Sequence, residues 1–302
     1  MLKTIADNAK EQINSKILGQ DAVTELALTA FFAGGHILLS GPTGLGKTTW
    51  AQAFASALGL SYGSTRVSED AVPNNFLYVY TNNPGSRELK FQPGAFFSNV
   101  VQVEGIDSLY PRVYSFLIDS MDGHNPCITI ADETYPLPKP HFFIASYEEV
   151  QNLAFADRFM MKLYVNYPGI AAEKQILQMH HVSEKKEAEP VTHPEAIAQA
   201  MQEVQAVVVE DAVFNYIVSI TETTRRIPAV QTGASTRASI SLMQAAKAYA
   251  AINGREYVTI NDVRSLSIPV LRHRVTLRPE AVKQGIHTDH IIESIIASKR
   301  TM

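Results

Sequence analysis

The stretch His36-Ile37-Leu38-Leu39-Ser40-Gly41-Pro42-Thr43-Gly44-Leu45-Gly46-Lys47-Thr48-Thr49-Trp50 decides the fold. Its first residues form a short apolar run, the pattern of a buried parallel strand. The run leads into G-x-x-x-x-G-K-T, a loop whose glycines let backbone N–H groups close around a polyphosphate. Lys47 has the reach for β- and γ-phosphates, and the Thr48 hydroxyl suits Mg²⁺. Beyond the loop, Trp50, Phe54 and Leu58 recur at i, i+4 and i+8, with Ala51 and Ala55 beside them. That spacing predicts a helix with one buried face, its N-terminal dipole aimed at the phosphates. Strand and helix on either side distinguish this loop from a chance Gly-rich turn. The candidate nucleotide-binding residues are therefore Gly41, Pro42, Thr43, Gly44, Leu45, Gly46, Lys47, Thr48 and Thr49, with ATP and Mg²⁺ as the expected ligands.

Outward from this loop, short apolar runs alternate with helix-period stretches. Val100–Val103, Cys127–Ile130 and Phe142–Ser146 read as strands, and 111–121 as a helix with Val113, Phe116, Leu117 and Met121 on one face. Such alternation predicts a three-layer α/β sheet, with phosphates outside the carboxyl ends of its strands. Phe76–Tyr80 and Glu88–Phe91 flank a Pro-Gly-containing segment and read as a β-hairpin with a long tip. Its Tyr78, Tyr80 and Phe91 either pack or present an aromatic surface to a partner. After Pro168-Gly169 the strand signals fade, and 171–180, 193–206, 210–225 and 234–252 carry helical periodicity. Thr259-Ile260-Asn261-Asp262 opens one more helix. The expected organisation is an α/β nucleotide-binding domain over 1–168 and a small all-α domain over 169–302.

The 302 residues are 46% hydrophobic and 19% charged, an ordinary globular composition with material for about two domains. A formal net charge of −4 gives no electrostatic reason to expect nucleic acid or an anionic membrane as partner. The lone Cys127 excludes an internal disulfide and fits a reducing compartment; its neighbours Ile128 and Ile130 make it read as a small buried strand residue, not a nucleophile. Asp7, Lys10, Glu11 and Lys16 interrupt any signal-peptide core. Gly34, Gly35 and His36 break the most apolar stretch as a membrane span. The expectation is a cytoplasmic protein without membrane insertion.

A series of ordered motifs now resembles the MoxR family of AAA+ ATPases, from about Ile17 to Pro279. Ile17-Leu18-Gly19-Gln20 is similar to the family's opening box, and Gly34–Leu39 to its glycine-led strand. Phe91-Gln92-Pro93-Gly94 resembles the close of the helix-2 insert hairpin. Thr134–Pro138, Asp157-Arg158-Phe159 and Gly233-Ala234-Ser235-Thr236-Arg237-Ala238-Ser239 match further family segments. The resemblance implies a P-loop αβα AAA+ domain with a helical lid. It implies a hexameric ring with ATP between subunits, homo-oligomeric or mixed with an active paralogue. It also implies a chaperone-like action on a protein client, such as a von Willebrand A domain protein. By the same resemblance, Arg158 is the arginine that reaches a neighbour's γ-phosphate and Arg237 the sensor-2 arginine of the lid. Arginine suits both roles because it is always charged and grips phosphate oxygens with a fork of donors.

The hydrolytic positions depart from the family pattern. In ungapped register Glu104 stands where the metal-associated Asp belongs, and Gly105 where the catalytic Glu belongs. A one-residue slip would instead put Glu104 at the catalytic position and Val103 at the metal position. The sensor-1 Asn is replaced within Ser146-Tyr147-Glu148. A positioned general base is worth roughly 10²–10⁴ in rate, about 3–5 kcal/mol of barrier, and glycine supplies none. The candidate catalytic residues are thus Glu104, Glu148, Arg158 and Arg237, with Thr48 and Glu104 toward the metal. Three readings follow: an ATP-binding ring protein with weak hydrolysis; an active ATPase whose water is aligned by Glu148 or Asp107; or a structural ring in which nucleotide only supports assembly.

Weaker signals carry less. His180 and His181 point apart on a helix, and His287 with His290 lacks a third metal ligand. Asp132-Glu133 reads as a turn, Tyr249 and Tyr257 as core. Arg272, His273 and Arg274 read as a small basic cluster, solvated or pairing across subunits.

Overall fold

The fold is that of a computed structural model, which describes residues 1–66, 78–82, 89–106, 117–121, 125–130, 133–147, 156–181 and 188–299. Strand β1 (Ile37–Ser40) lies parallel between β8 (Phe142–Tyr147) and β9 (Met161–Tyr164). Beyond β8 come β5 (Val100–Glu104) and then β2 (Tyr62–Arg66), again parallel, so the sheet order is β2-β5-β8-β1-β9. Every carboxyl end therefore opens on the same side, with Ser40 level with Tyr147 and Tyr164.

The period-two geometry of strands sorts the apolar residues onto two faces. Ile37, Leu39, Ile144, Met161 and Leu163 join one core cluster with α1 (Leu2–Lys16), α2 (Asp21–Phe32) and α3 (Lys47–Ala57). Leu38, Val101, Val103, Phe143 and Ala145 join the other. The Phe142 ring stacks on Phe54 at 5.3 Å and meets the edge of Phe31 at 5.3 Å, pegging α3 and α2 to the sheet. Trp50, Phe54 and Leu58 are all buried, as their spacing predicts.

The hairpin is present: β3 (Tyr78–Asn82) pairs antiparallel with β4 (Leu89–Pro93), its tip lying outside the described residues. One predicted strand sits elsewhere than expected. Cys127–Ile130 (β6) pairs antiparallel with Glu133–Pro136 (β7) in a separate two-stranded ribbon. The outer places in the parallel sheet go instead to Tyr62–Arg66 and Met161–Tyr164. Cys127 is only half-buried, and Glu133 belongs to a strand where a turn was expected, its carboxylate accepting from the Tyr135 hydroxyl. Of the expected helix 111–121, only 117–121 is described; its residues 117–120 are helical.

The second half folds as α4 (Ile170–His181), α5 (Pro194–Ala206), α6 (Asp211–Arg226), α7 (Thr236–Ile252), α8 (Ile260–Leu271), α9 (Pro279–Lys283) and α10 (Thr288–Ser298). It is not wholly helical, because β10 (Val230–Thr232) and β11 (Thr276–Leu277) pair antiparallel within it. Thr259 and Asp262 form a reciprocal capping box that starts α8. Tyr249 is half-buried against the core, but Tyr257 is exposed, contrary to its reading as core. The N-terminal helices tie the halves together: α1 packs on α3, α5 and α7, and α2 packs on α7 and β9. Among the described residues no helix is long and apolar enough to cross a membrane.

Candidate nucleotide site

The loop after β1 is shaped by glycines with positive φ. Gly41 (φ +151°) runs against β9, where an added Cβ would stand 2.4 Å from the Val165 carbonyl oxygen. Gly44 (+83°) and Gly46 (+76°) adopt the left-handed conformation that side chains resist. Gly46 then caps α3, so Lys47 begins the helix. The Lys47 ammonium donates to the carbonyls of Gly41 at 2.7 Å and Pro42 at 2.8 Å. It is already inside the loop's curve, held by the backbone that a phosphate would approach.

The Thr48 hydroxyl donates to Glu104 Oε1 at 2.5 Å, joining the loop to the end of β5. Arg66, on the neighbouring strand and in register with Glu104, donates to its other oxygen through Nη2 at 2.8 Å and Nε at 3.1 Å. Tyr62 donates to Gln102 Oε1 at 2.6 Å, and the Gln102 amide stands 3.4 Å from both Thr48 Oγ1 and Glu104 Oε1. The hydrogen bond from Thr48, with the Arg66 guanidinium beside it, holds the Glu104 carboxyl below its ordinary range. Thr48 keeps a lone pair for a cation while Glu104 accepts its proton. These hard oxygen donors fit Mg²⁺.

Gly105 follows at φ +72°, and its N–H donates to the Ser146 carbonyl at 2.9 Å. A non-glycine residue is strained in this conformation, at a cost of roughly 1–2 kcal/mol. The end of β8 carries Tyr147, whose ring lies 5.4 Å from the Lys162 ammonium; Tyr164 receives the same ammonium at 5.2 Å. A crevice of about 670 Å³ beside them is lined by Tyr147 and Lys162 together with Arg272, His273, Thr276 and Lys283 of the second half. Glu148 and Asp107 lie outside the described residues.

The two candidate arginines sit at the other end of the sheet. Asp157 and the exposed Arg158 precede β9 and so lie at its amino end. Arg237, on the first turn of α7, donates to Asp157 Oδ2 at 2.6 Å. With strands of only four residues, roughly 10 Å of backbone still separates this end from the phosphate loop. The structure brings Arg237 to Arg158's neighbour, not to the loop of its own chain.

Arg274 departs from its reading as part of a solvated or subunit-bridging cluster. Its side chain is 1% exposed and bonds within the chain. It donates to Asp157 Oδ1 and to the carbonyls of Asp157, Phe159, Met160 and Val270, and to Ser241 Oγ. Burial pushes its guanidinium down to about 10, against the opposing pull of Asp157. Arg272 pairs with Asp289 and stacks 4.4 Å over Tyr164, again within one chain. His273 bonds to the Phe159 carbonyl. No group of three or more potential metal ligands occurs among the described residues.

Two groups escaped the sequence reading. Arg66 ends a polar strand, Tyr-Gly-Ser-Thr-Arg, with no apolar alternation to reveal it. Arg274 carried only the signal of adjacent charge, and nothing local marks a buried cation.

Residues 36–161 match the family described as ATPase family associated with various cellular activities (AAA), and residues 222–295 match the AAA lid domain. The chain is 33% identical to the uncharacterized protein YeaC of Bacillus subtilis, over 98% of this chain and 95% of that protein. It is 26% identical to chaperone MoxR1 of Mycobacterium tuberculosis, over 94% and 79%. It is 28% identical to protein MoxR of Methylorubrum extorquens, over 89% and 87%. A crystal structure from Cytophaga hutchinsonii, of a protein described as a candidate ATPase, superposes with a TM-score of 0.89 at 27% identity, over 98% of this chain and 94% of that one.

Proposed function

Since the chain belongs to the MoxR family of AAA+ ATPases, we propose that it binds Mg²⁺ and ATP at Gly41–Thr49, turns the nucleotide over slowly, and assembles into a ring that remodels or matures a protein client. The single observation that carries slow turnover is Gly105. It follows Glu104 in a left-handed conformation with its N–H engaged by Ser146. The chain there offers a glycine-shaped backbone where a water-activating carboxylate would stand. Losing such a base costs roughly 10²–10⁴ in rate. Binding does not depend on it: Lys47 and the loop amides address the phosphates, and Thr48 with Glu104 would hold the metal, which supplies charge neutralisation there.

The ring reading is supported by the placement of Arg158 and Arg237 at the sheet end opposite the phosphate loop. A group there would serve a nucleotide held by a neighbour, and a head-to-tail contact of this kind generates a ring when its rotation closes. Six subunits, a mixed ring with an active paralogue and a cytoplasmic setting are part of the same proposal. The chaperone-named relatives support the client role. The test joins calorimetric ATP binding, steady-state turnover and mass by light scattering with and without ATP. The expected result is micromolar binding, turnover near background and a mass that rises with ATP. Brisk turnover abolished by Lys47→Ala would overturn slow hydrolysis, and a monomer mass under all conditions would overturn the ring.

A further inference from the structure

We propose that Gln102 is a positioning residue of the metal side: with Tyr62 behind it, its amide holds the Thr48 hydroxyl and the Glu104 carboxylate in the orientation that receives Mg²⁺. The inference rests on the nucleotide-binding reading above and names a residue on which its metal step depends.

Strand β5 reads Val-Val-Gln-Val-Glu, and Gln102 at its centre is 0% exposed. An amide buried in an apolar strand costs free energy unless its polar atoms are engaged. Replacing such an amide and its partner by apolar groups of the same shape is often nearly neutral. Stability therefore gives no reason for glutamine here, and its partners supply one. Strand alternation puts Gln102 on the same face as Glu104, and α3, which begins with Lys47 and Thr48, packs on β5. The Gln102 amide nitrogen stands 3.4 Å from both Thr48 Oγ1 and Glu104 Oε1. A carboxylate only accepts hydrogen bonds, so the nitrogen must face Glu104 and the amide oxygen must face away. That oxygen accepts from the Tyr62 hydroxyl at 2.6 Å. Burial raises the Tyr62 phenol, which keeps it protonated as this donor. Turning the amide over would set like groups against each other at both ends. Thr48 is oriented in consequence. Its proton goes to Glu104 Oε1 at 2.5 Å and one lone pair faces Gln102, leaving the second lone pair for a cation. Glu104 carries one more rotatable bond than an aspartate, so its carboxylate needs more restraint to stay aimed at the loop. Arg66 restrains Oε2 from the solvent side, and Gln102 restrains Oε1 from inside the fold. Partners that hold a metal-facing group in this way govern metal affinity without touching the metal.

The experiment measures the Kd of a non-hydrolysable ATP analogue by calorimetry, in EDTA and in Mg²⁺, for wild type, Gln102→Met and Tyr62→Phe. The ratio of the two constants is the gain from the metal. Circular dichroism confirms that each protein is folded, and Tyr62→Phe, which removes one oxygen, serves if Gln102→Met does not fold. Wild type is expected to show a gain of roughly tenfold or more. Gln102→Met should shrink that gain by roughly tenfold while its affinity in EDTA stays within about threefold of wild type. Tyr62→Phe should shrink the gain in the same direction and by less. A gain that both variants leave unchanged overturns the inference. So does equal weakening in EDTA and in Mg²⁺, the mark of a purely structural role, and so does a wild type that gains nothing from Mg²⁺; each of these leaves nucleotide binding intact. Absence of wild-type binding in both conditions removes the nucleotide reading itself and the inference with it.

Discussion

At the carboxyl end of the parallel sheet, the functional groups stand on a glycine loop open to solvent. At the amino end they stand on a buried guanidinium. Lys47 and Thr48 are placed by backbone turns that glycines permit, and their contacts are few and near the surface. Arg158 and Arg237 are placed through Asp157, which Arg274 anchors from inside the interface of sheet and lid. The first end can be emptied and refilled by a ligand without disturbing the core. The second cannot be altered without leaving a buried charge or several buried carbonyls unpaired. Under the proposed function, the site that would exchange nucleotide is built locally, and the surface that would meet a neighbour is built into the core.

The sharpest way to break this contrast is Arg274→Met. Removing one member of a buried charged network costs about 3–5 kcal/mol, so urea unfolding should show a loss of that size. Lys47→Met should stay within about 0.5 kcal/mol of wild type. Near-equal losses would erase the distinction between the two ends.

A somewhat smaller effect tests the amino end by pH. His36 precedes β1 and is buried, its Nε2 facing the Met121 carbonyl at 3.2 Å and its Nδ1 accepting from the Phe143 N–H. Burial lowers it to about 4. His141, before β8, is lowered to about 3 by burial and by His36 nearby. Between these values and the ordinary 6.5 the unfolded chain binds protons that the folded chain refuses. Stability is therefore complete above about pH 6.5 and is lost as pH falls toward 4, by about 3 kcal/mol for His36. Unfolding midpoints measured from pH 7 to 4.5 should fall steadily, and a flat profile would show that these imidazoles protonate without cost.

The smallest effect sharpens the division of labour. Lys47→Ala should weaken nucleotide binding roughly 10–100-fold, the worth of one charge-assisted contact. Arg158→Ala should leave the affinity of the isolated subunit within about threefold and remove only the ATP-driven rise in mass. Equal weakening by both would place Arg158 at its own chain's nucleotide.

Much of the fold was legible because its signals are local. The loop, the buried face at Trp50 and Phe54, the hairpin and five helices of the second half each declare themselves within a dozen residues. Three elements were missed for a shared reason. Leu2–Lys16 is mostly polar with a thin apolar stripe, Tyr62–Arg66 is polar, and Met161–Tyr164 carries a lysine. Each is fixed by what it packs against. Cys127–Ile130 has the apolar look of a central strand, yet the strand places beside β5 and β1 are filled by others.

By itself the sequence determined the chemistry at hand: a phosphate loop, a lone acid at its metal side, a glycine after that acid, and arginines suited to phosphate. Those follow from residue type and short spacing. Only the tertiary structure decided which charges meet. It set Arg66 on Glu104, buried Arg274 on Asp157, and carried Arg237 to the far end of the sheet from its own loop. The partners of these arginines lie 38, 117 and 80 residues away. Contacts at that range depend on strand order, register and lid docking, which short-range patterns do not encode.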